Sequence, residues 1–250
     1  KAALLDLAKR TRAREQTGLL RLPVDRVFTL KGFGTVITGT LTSGLVNVGE
    51  ELVVLPSGKK ARVRGLQVHG ETVGIAVCGQ RTAMNLAGVL VEDLSRGDVL
   101  VREGTLEPTR LAHVAIRLLE GCALKFDARV RVHAASAEVL GRVKFTAPEL
   151  TKGGAAVAEI RFETPVVLGR GDRVVLRSYS PLATIGGGRV LDPHPRPRRR
   201  AEIAALQSAE EESDEAAVAR FLREAGAAGL DLAALAGRMT LPASAARPLL

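Results

Sequence analysis

Residues 19–44 constrain this chain more than any other stretch, because their pattern is that of a β-hairpin. Leu20, Leu22, Val24, Phe28 and Leu30 share one parity, the period of a half-buried strand. Lys31-Gly32-Phe33-Gly34 supplies a tight turn with glycine where φ can be positive. Thr35 to Leu41 returns as a β-branched strand, with Gly39 and Gly44 expected to break it. One residue violates the alternation. Arg26 falls on the apolar parity between Val24 and Phe28, and an arginine there needs a partner or an exit to solvent, since an unpaired buried charge is costly.

The same style continues to residue 193. Glu51–Leu55, Lys60–Val68, Val73–Val77, Arg81–Leu86 and Val99–Val101 read as strands separated by turn signals. Leu111–Leu119, Ala128–Ala134, Leu140–Phe145, Val157–Phe162, Val166–Leu168 and Val174–Leu176 repeat the pattern. Many short strands without a long amphipathic helix predict β-barrels. The alternating prolines of 193–200 predict an extended linker. Its arginines suit either phosphate or solvent.

Residues 201–250 turn alanine-rich and helical. Glu202 to Gln207 reads as a short helical piece. Ser213 is a candidate N-cap, followed by Asp214 and Glu215, and Val218, Phe221 and Leu222 form one face that ends at Gly226. Asp231 caps a second helix, Gly237–Thr240 reads as a turn, and Leu241-Pro242 opens a third helix. This order suits a helix-turn-helix or winged-helix unit, or any small helical bundle.

Charge is uneven. The chain carries a net +9, yet residues 201–250 hold four arginines against eight acids, so the positive excess belongs to the first two hundred residues. That distribution suits a polyanionic partner, or reflects only a basic proteome. Aromatics make up 3%, too few for a stacking platform on single-stranded RNA. Cys78 and Cys122 stand far apart without metal-ligand spacing, which predicts neither a zinc site nor a disulfide framework and makes a reducing cytosol the default. His69, His113, His133 and His194 are scattered, each a surface or packed histidine. No apolar run is long enough to span a membrane. No Gly-x-x-x-x-Gly-Lys-Ser/Thr occurs, and the glycine triplet 186–188 lacks the Lys-Ser/Thr and the helix of a phosphate loop, so it reads as a strand bend. Nothing here predicts GTP binding or catalysis by these residues themselves.

Three stretches carry a resemblance. The wording RLPVDRVFTLKGFGTVITGTL over 21–41 resembles the opening hairpin of domain II in translational GTPases of the elongation factor Tu class, and most of all in selenocysteine-specific elongation factors. GQRTAMNLAG over 79–88 and RGDVL over 96–100 are similar to the later part of that barrel, and RSYSPLATIGGGRVLDP over 177–193 to the end of domain III. The resemblance implies a mainly β chain: two Tu-like barrels, over 17–105 and 106–193, a linker over 194–200, and a partial winged-helix region over 201–250. Residues 1–16, helical by periodicity and without an initiator methionine, would be the last helix of a GTPase domain outside this sequence. That domain would hold GTP and Mg²⁺ and make the whole protein a GTPase; no cofactor is expected within residues 1–250.

The resemblance further implies a cytoplasmic factor that carries selenocysteinyl-tRNA to the ribosome at recoded UGA codons. Later winged helices would read a messenger hairpin. Asp25, Arg26 and Arg81 match the family's selenocysteine pocket. For Asp25 and Arg26, neighbours in one strand, to line the same pocket the chain must bulge or end there. The alternative for the pair is Asp25 on a surface base and Arg26 on a core carboxylate. Rival resemblances are to a Tu-like factor for ordinary aminoacyl-tRNA and to the GTPase subunit of a sulfate-activating enzyme.

Overall fold

The computed structural model describes Leu7 and residues 18–32, 34–151 and 153–250. The helix expected over 1–16 lies outside the described residues apart from Leu7, which is helical and exposed.

The first barrel is built from β1 (Arg21–Leu30), β2 (Gly34–Thr40), β4 (Glu51–Leu55), β5 (Lys59–Val68), β8 (Arg81–Ala87) and β9 (Val99–Val101). Their order is β4-β9-β1-β2-β8-β5, and pairing of β4 with β5 closes the ring. β6 (Glu71–Val73) extends the β5 edge, while β3 (Leu45–Asn47) and β7 (Ile75–Val77) form a separate pair. The single strand expected over 73–77 is therefore two, divided at Gly74, because its halves pair with different partners. Leu22, Val24, Ile37, Leu66, Met84 and Leu100 fill the interior, all buried. Burying each such side chain contributes about 1.5–3 kcal/mol.

The second barrel closes in the order β10 (Thr109–Leu118), β15 (Ala155–Val166), β13 (Ala137–Lys144), β12 (Ala128–Ala134), β16 (Arg173–Ser178) and β17 (Thr184–Asp192), with β11 (Ala123–Lys125) and β14 (Glu149–Thr151) as a side pair. The separate strands expected over 157–162 and 166–168 are one, because β15 runs on through Pro165 to pair Val166 with Thr109, and Val167 and Leu168 lie beyond its end. The two barrels share a seam. Leu106 and Val167 pack with Val53, Leu55, Val99 and Val101. Arg21, 5% exposed, donates to the Val167 carbonyl at 3.0 Å and pairs with Asp172 at 2.7 Å.

The tail is helical: α1 (Arg200–Ala204), a 3₁₀ turn, α2 (Asp214–Ala225), α3 (Leu232–Met239) and α4 (Ala243–Ala246). Ser213 and Asp231 cap α2 and α3, accepting from the N–H groups of Ala216 and Ala234. The turn expected over 237–240 is displaced. Leu235 and Met239, one helical turn apart, both pack on Phe221 and carry α3 past Gly237, so the chain turns at Thr240, φ 60°. Buried charges join this unit to the second barrel. Arg238 grips Asp192 with two hydrogen bonds, 2.8 and 2.5 Å. Arg220 stands 3.7 Å from the same carboxylate, and Glu224 accepts from Arg198 and Arg238. Burial by itself would raise the Asp192 carboxyl; the hydrogen bonds and charge of Arg238 outweigh it and hold the group below the usual aspartate range.

Candidate functional site

The site begins with one extra residue in β1. Val24 pairs with Gly39 and Arg26 with Thr38, so Asp25 is the inserted residue of a β-bulge. Before it, Leu22 and Val24 face the core; after it, Val27 does, opposite Ile37. An insertion of one reverses the parity of everything that follows. Arg26 is consequently not on the apolar face that straight alternation gives it. It is exposed, opposite Thr38, with no ion pair or hydrogen bond among the described residues; Leu30 turns outward too, 47% exposed. The core carboxylate considered as its partner is not there.

Gly39 makes the bulge feasible and does not break β2. A Cβ at Gly39 would stand 2.2 Å from the Pro23 carbonyl oxygen and 2.9 Å from Leu22 Cδ2. On its other side the bulge is pinned by the turn before β9. The Val24 N–H donates to the Asp98 carbonyl at 2.8 Å, and the Gly97 N–H donates to the Val24 carbonyl at 3.0 Å.

Arg81, the first residue of β8, lies opposite Thr40 on the outer wall. Its Nη2 donates to Asp25 Oδ2 at 3.1 Å, and Arg96 Nη2 stands 3.9 Å from Asp25 Oδ1. These groups line an open cleft of about 310 Å³ together with Thr40, Thr42 and Ser136, the last from the second barrel. A hollow of about 230 Å³ on the other flank of Arg81 is lined by Thr38, Gln67, His69 and Thr82. Of the three residues singled out in the sequence, Asp25 and Arg81 touch. Arg26 shares the outer wall, one strand beyond Thr38, and lines neither hollow. Arg26, Arg81 and Arg96 against one carboxylate leave this corner with an excess of two positive charges, a field that draws an anion. The Asp25–Arg81 pair is too wet to be a stability device, since exposed pairs contribute about 0–1 kcal/mol. It orients the guanidinium and leaves its other N–H groups for a ligand.

Arg96 is the member that residue-by-residue reading overlooked. The signal was present in Arg96-Gly97-Asp98, a cation ahead of a glycine turn. Elsewhere the structure assigns residues to structural work. Gly186, Gly187 and Gly188 sit within β17, paired with β10 on one side and β16 on the other, so this stretch cannot cradle phosphate. Two linker arginines are already engaged: Arg198 with Glu224, and Arg200 over the Phe126 ring at 4.5 Å. Among the described residues no cluster of His, Cys, Asp or Glu could hold a metal, and no helix is long and apolar enough to cross a membrane.

Comparison with known proteins gives the same two barrels a family. The model described as "Elongation factor Tu domain 2" matches residues 34–101, and that described as "Selenocysteine-specific elongation factor, beta-barrel domain" matches residues 111–197. A selenocysteine-specific elongation factor of Desulfomicrobium baculatum is 42% identical over 225 residues, covering 88% of this chain and 36% of the relative. The chain belongs to the selenocysteine-specific elongation factor family. The factor of Escherichia coli (strain K12) is 36% identical over 218 residues, 84% of this chain and 34% of the relative. A crystal structure of a bacterial selenocysteine-specific elongation factor matches with a TM-score of 0.81 at 27% identity, over 96% of this chain and 39% of that one. The chain thus spans about a third of the length of the curated relatives it matches.

Proposed function

We propose that this chain is the part of a selenocysteine-specific elongation factor that holds the aminoacyl end of selenocysteinyl-tRNA, with the corner at Asp25, Arg26 and Arg81 as its amino-acid pocket. The observation that carries this reading is the bulge at Asp25. It turns Arg26 to the outer wall of the first barrel, the side that Asp25 already faces, and there Asp25 meets Arg81.

The chemistry follows from acidity. A selenol is far more acidic than a serine hydroxyl, so at neutral pH selenocysteine is an anion and its serine precursor is neutral. A hydrogen bond from a guanidinium to an anion contributes about 1.5–3 kcal/mol. Arg81 and Arg26 together would discriminate by roughly 4 kcal/mol, on the order of 10³ in affinity. Asp25 accepts from Arg81 and so sets the direction of its remaining donors. The open outer wall lets a ligand reach the arginines without moving the core.

GTP and Mg²⁺ would be held, and GTP hydrolysed, on a domain outside these 250 residues, the step that releases the RNA on the ribosome in the cytoplasm. The helices α2 to α4 would begin the winged-helix region through which the complete protein reads a messenger hairpin at a UGA codon. The test is equilibrium binding of the full-length protein, with GTP, to one transfer RNA charged with selenocysteine or with serine. The reading requires tighter binding of the selenocysteinyl form, by about 10³. Equal affinity for the two would reject it.

A further inference from the structure

The amino-acid pocket just proposed is not confined to one barrel. Arg96 stands at the junction. Its Nε donates to the backbone carbonyl of Ser136 in the second barrel at 3.2 Å, while its Nη2 lies 3.9 Å from Asp25 Oδ1. The first contact is a hydrogen bond; the second exceeds hydrogen-bond range and is a charge–charge contact.

The turn that carries Arg96 has little freedom. Ser95 N–H donates to Asp98 Oδ2 at 2.7 Å, closing the turn on itself. Its backbone is tied to Val24, the residue before the bulge, by the two hydrogen bonds at 2.8 and 3.0 Å. At Gly97, φ is 100°, and a Cβ there would come within 3.0 Å of Ala137 Cα in the second barrel. The turn therefore touches the bulge on one side and the second barrel on the other with no side chain between. Ser136 lines the same cleft, and its hydroxyl is buried without a hydrogen-bond partner.

We propose that Arg96 is a positioning residue of the anion site: it steers the Asp25 carboxylate, and through it Arg81, while anchoring both to the second barrel at Ser136. This rests on the reading of the Asp25–Arg81 corner as the amino-acid pocket. The side chain of Arg96 is largely exposed, so its attraction for Asp25 adds little to folding. Its consequence is directional. With Arg96 on Oδ1, the carboxylate presents Oδ2 to Arg81, and the Arg81 guanidinium is held in one orientation before any ligand arrives. Preorganisation of this kind is realised as affinity for the charged ligand and not for a neutral one. The second barrel becomes part of the pocket through the Ser136 carbonyl and the cleft wall at Ala135 and Ser136.

The experiment is a double-mutant cycle in the full-length protein, read as the ratio of affinities for one transfer RNA charged with selenocysteine or serine. Arg96→Ala should lower that ratio by about 5- to 10-fold, while Arg81→Ala, measured in parallel, lowers it further. Combining Arg96→Ala with Asp25→Asn should lower the ratio hardly more than Asp25→Asn alone, because Arg96 acts through the carboxylate. Arg96→Lys should restore only part of the ratio, since one ammonium cannot serve both the Ser136 carbonyl and Asp25. An unchanged ratio in Arg96→Ala with a reduced one in Arg81→Ala would overturn this inference and leave the pocket standing. Equal losses for both amino acids in Arg96→Ala would make Arg96 a structural residue only, and would overturn it as well. An unchanged ratio in both single variants would remove the pocket and the inference together.

Discussion

The Asp25 carboxylate accepts from Arg81 Nη2 at 3.1 Å on the outer wall of the first barrel, to which the bulge at Asp25 also turns Arg26. The barrel interior continues past the insertion with Val27 and Ile37, so the site costs the core nothing. Consequences follow for the bulge, the seam, the docked tail and the RNA.

Gly39→Ala should destroy the bulge. Its Cβ would fall 2.2 Å from the Pro23 carbonyl oxygen, and that backbone cannot retreat without breaking the pairing of Pro23 with Val99. The expected cost is about 2–3 kcal/mol, as for overpacking in a tight interior. Chemical denaturation followed by circular dichroism measures it. A cost within about 0.5 kcal/mol, the range of an ordinary surface substitution, would mean the bulge is not held at Gly39.

Arg21→Met should weaken the seam between the barrels. It leaves Asp172 without its cation and the Val167 carbonyl without its donor. Asp172 keeps some contact with water, so the loss is expected near 2 kcal/mol, below that of a fully buried pair. Adding Asp172→Asn removes the stranded charge yet keeps an acceptor for the Gly169 N–H, and should recover about half of the loss. The same denaturation series reads both variants.

The docked tail should loosen in acid. Asp192 is held below the usual aspartate range, so its contribution is full above about pH 3.9 and is lost as pH falls through the lower folded value. Burial is the main cause that lowers His194; Asp192 and Glu107 pull it up, and Arg238 adds to the lowering. The folded state therefore prefers the neutral ring, and stability should begin to fall as pH drops below about 6.5, before the carboxylate titrates. Thermal melts across pH 3–7 should show both legs. His194→Gln should remove the upper leg and leave the lower.

RNA affinity should reside in the barrels. The tail is net negative, and its Arg220 and Arg238 are spent on Glu212, Glu224 and Asp192. Binding of transfer RNA by the 250-residue chain should fall steeply with salt as counterions are released. Deleting residues 201–250 should leave that slope unchanged in filter binding; a flattened slope would place the phosphate contacts in the tail.

The barrels were legible because their strands alternate in the ordinary way and their turns carry glycine, as at Pro56-Ser57-Gly58. Ser213 and Asp231 were legible as caps for the same local reason. Arg26 was legible as an anomaly but not as an outcome. Its exit to solvent depends on a bulge that forms only when Gly39 of the neighbouring strand admits the Pro23 carbonyl, a contact between strands that parity does not contain. Arg21 and Arg96 were hidden for a similar reason. Their partners, Asp172 and the Ser136 carbonyl, lie 151 and 40 residues away, in a barrel whose docking no short-range pattern encodes. The run of α3 through Gly237 was missed because glycine is a common helix stop, and here packing of Leu235 and Met239 on Phe221 overrides it.

The most direct test of the pocket is the affinity ratio for selenocysteinyl- over seryl-tRNA in the full-length protein carrying Arg81→Ala. Loss of most of that preference, with seryl-tRNA affinity within about twofold of the unaltered protein, is the result expected if Arg81 meets the selenolate. An equal fall for both aminoacyl forms would contradict it, and would assign Arg81 to the RNA or to the fold.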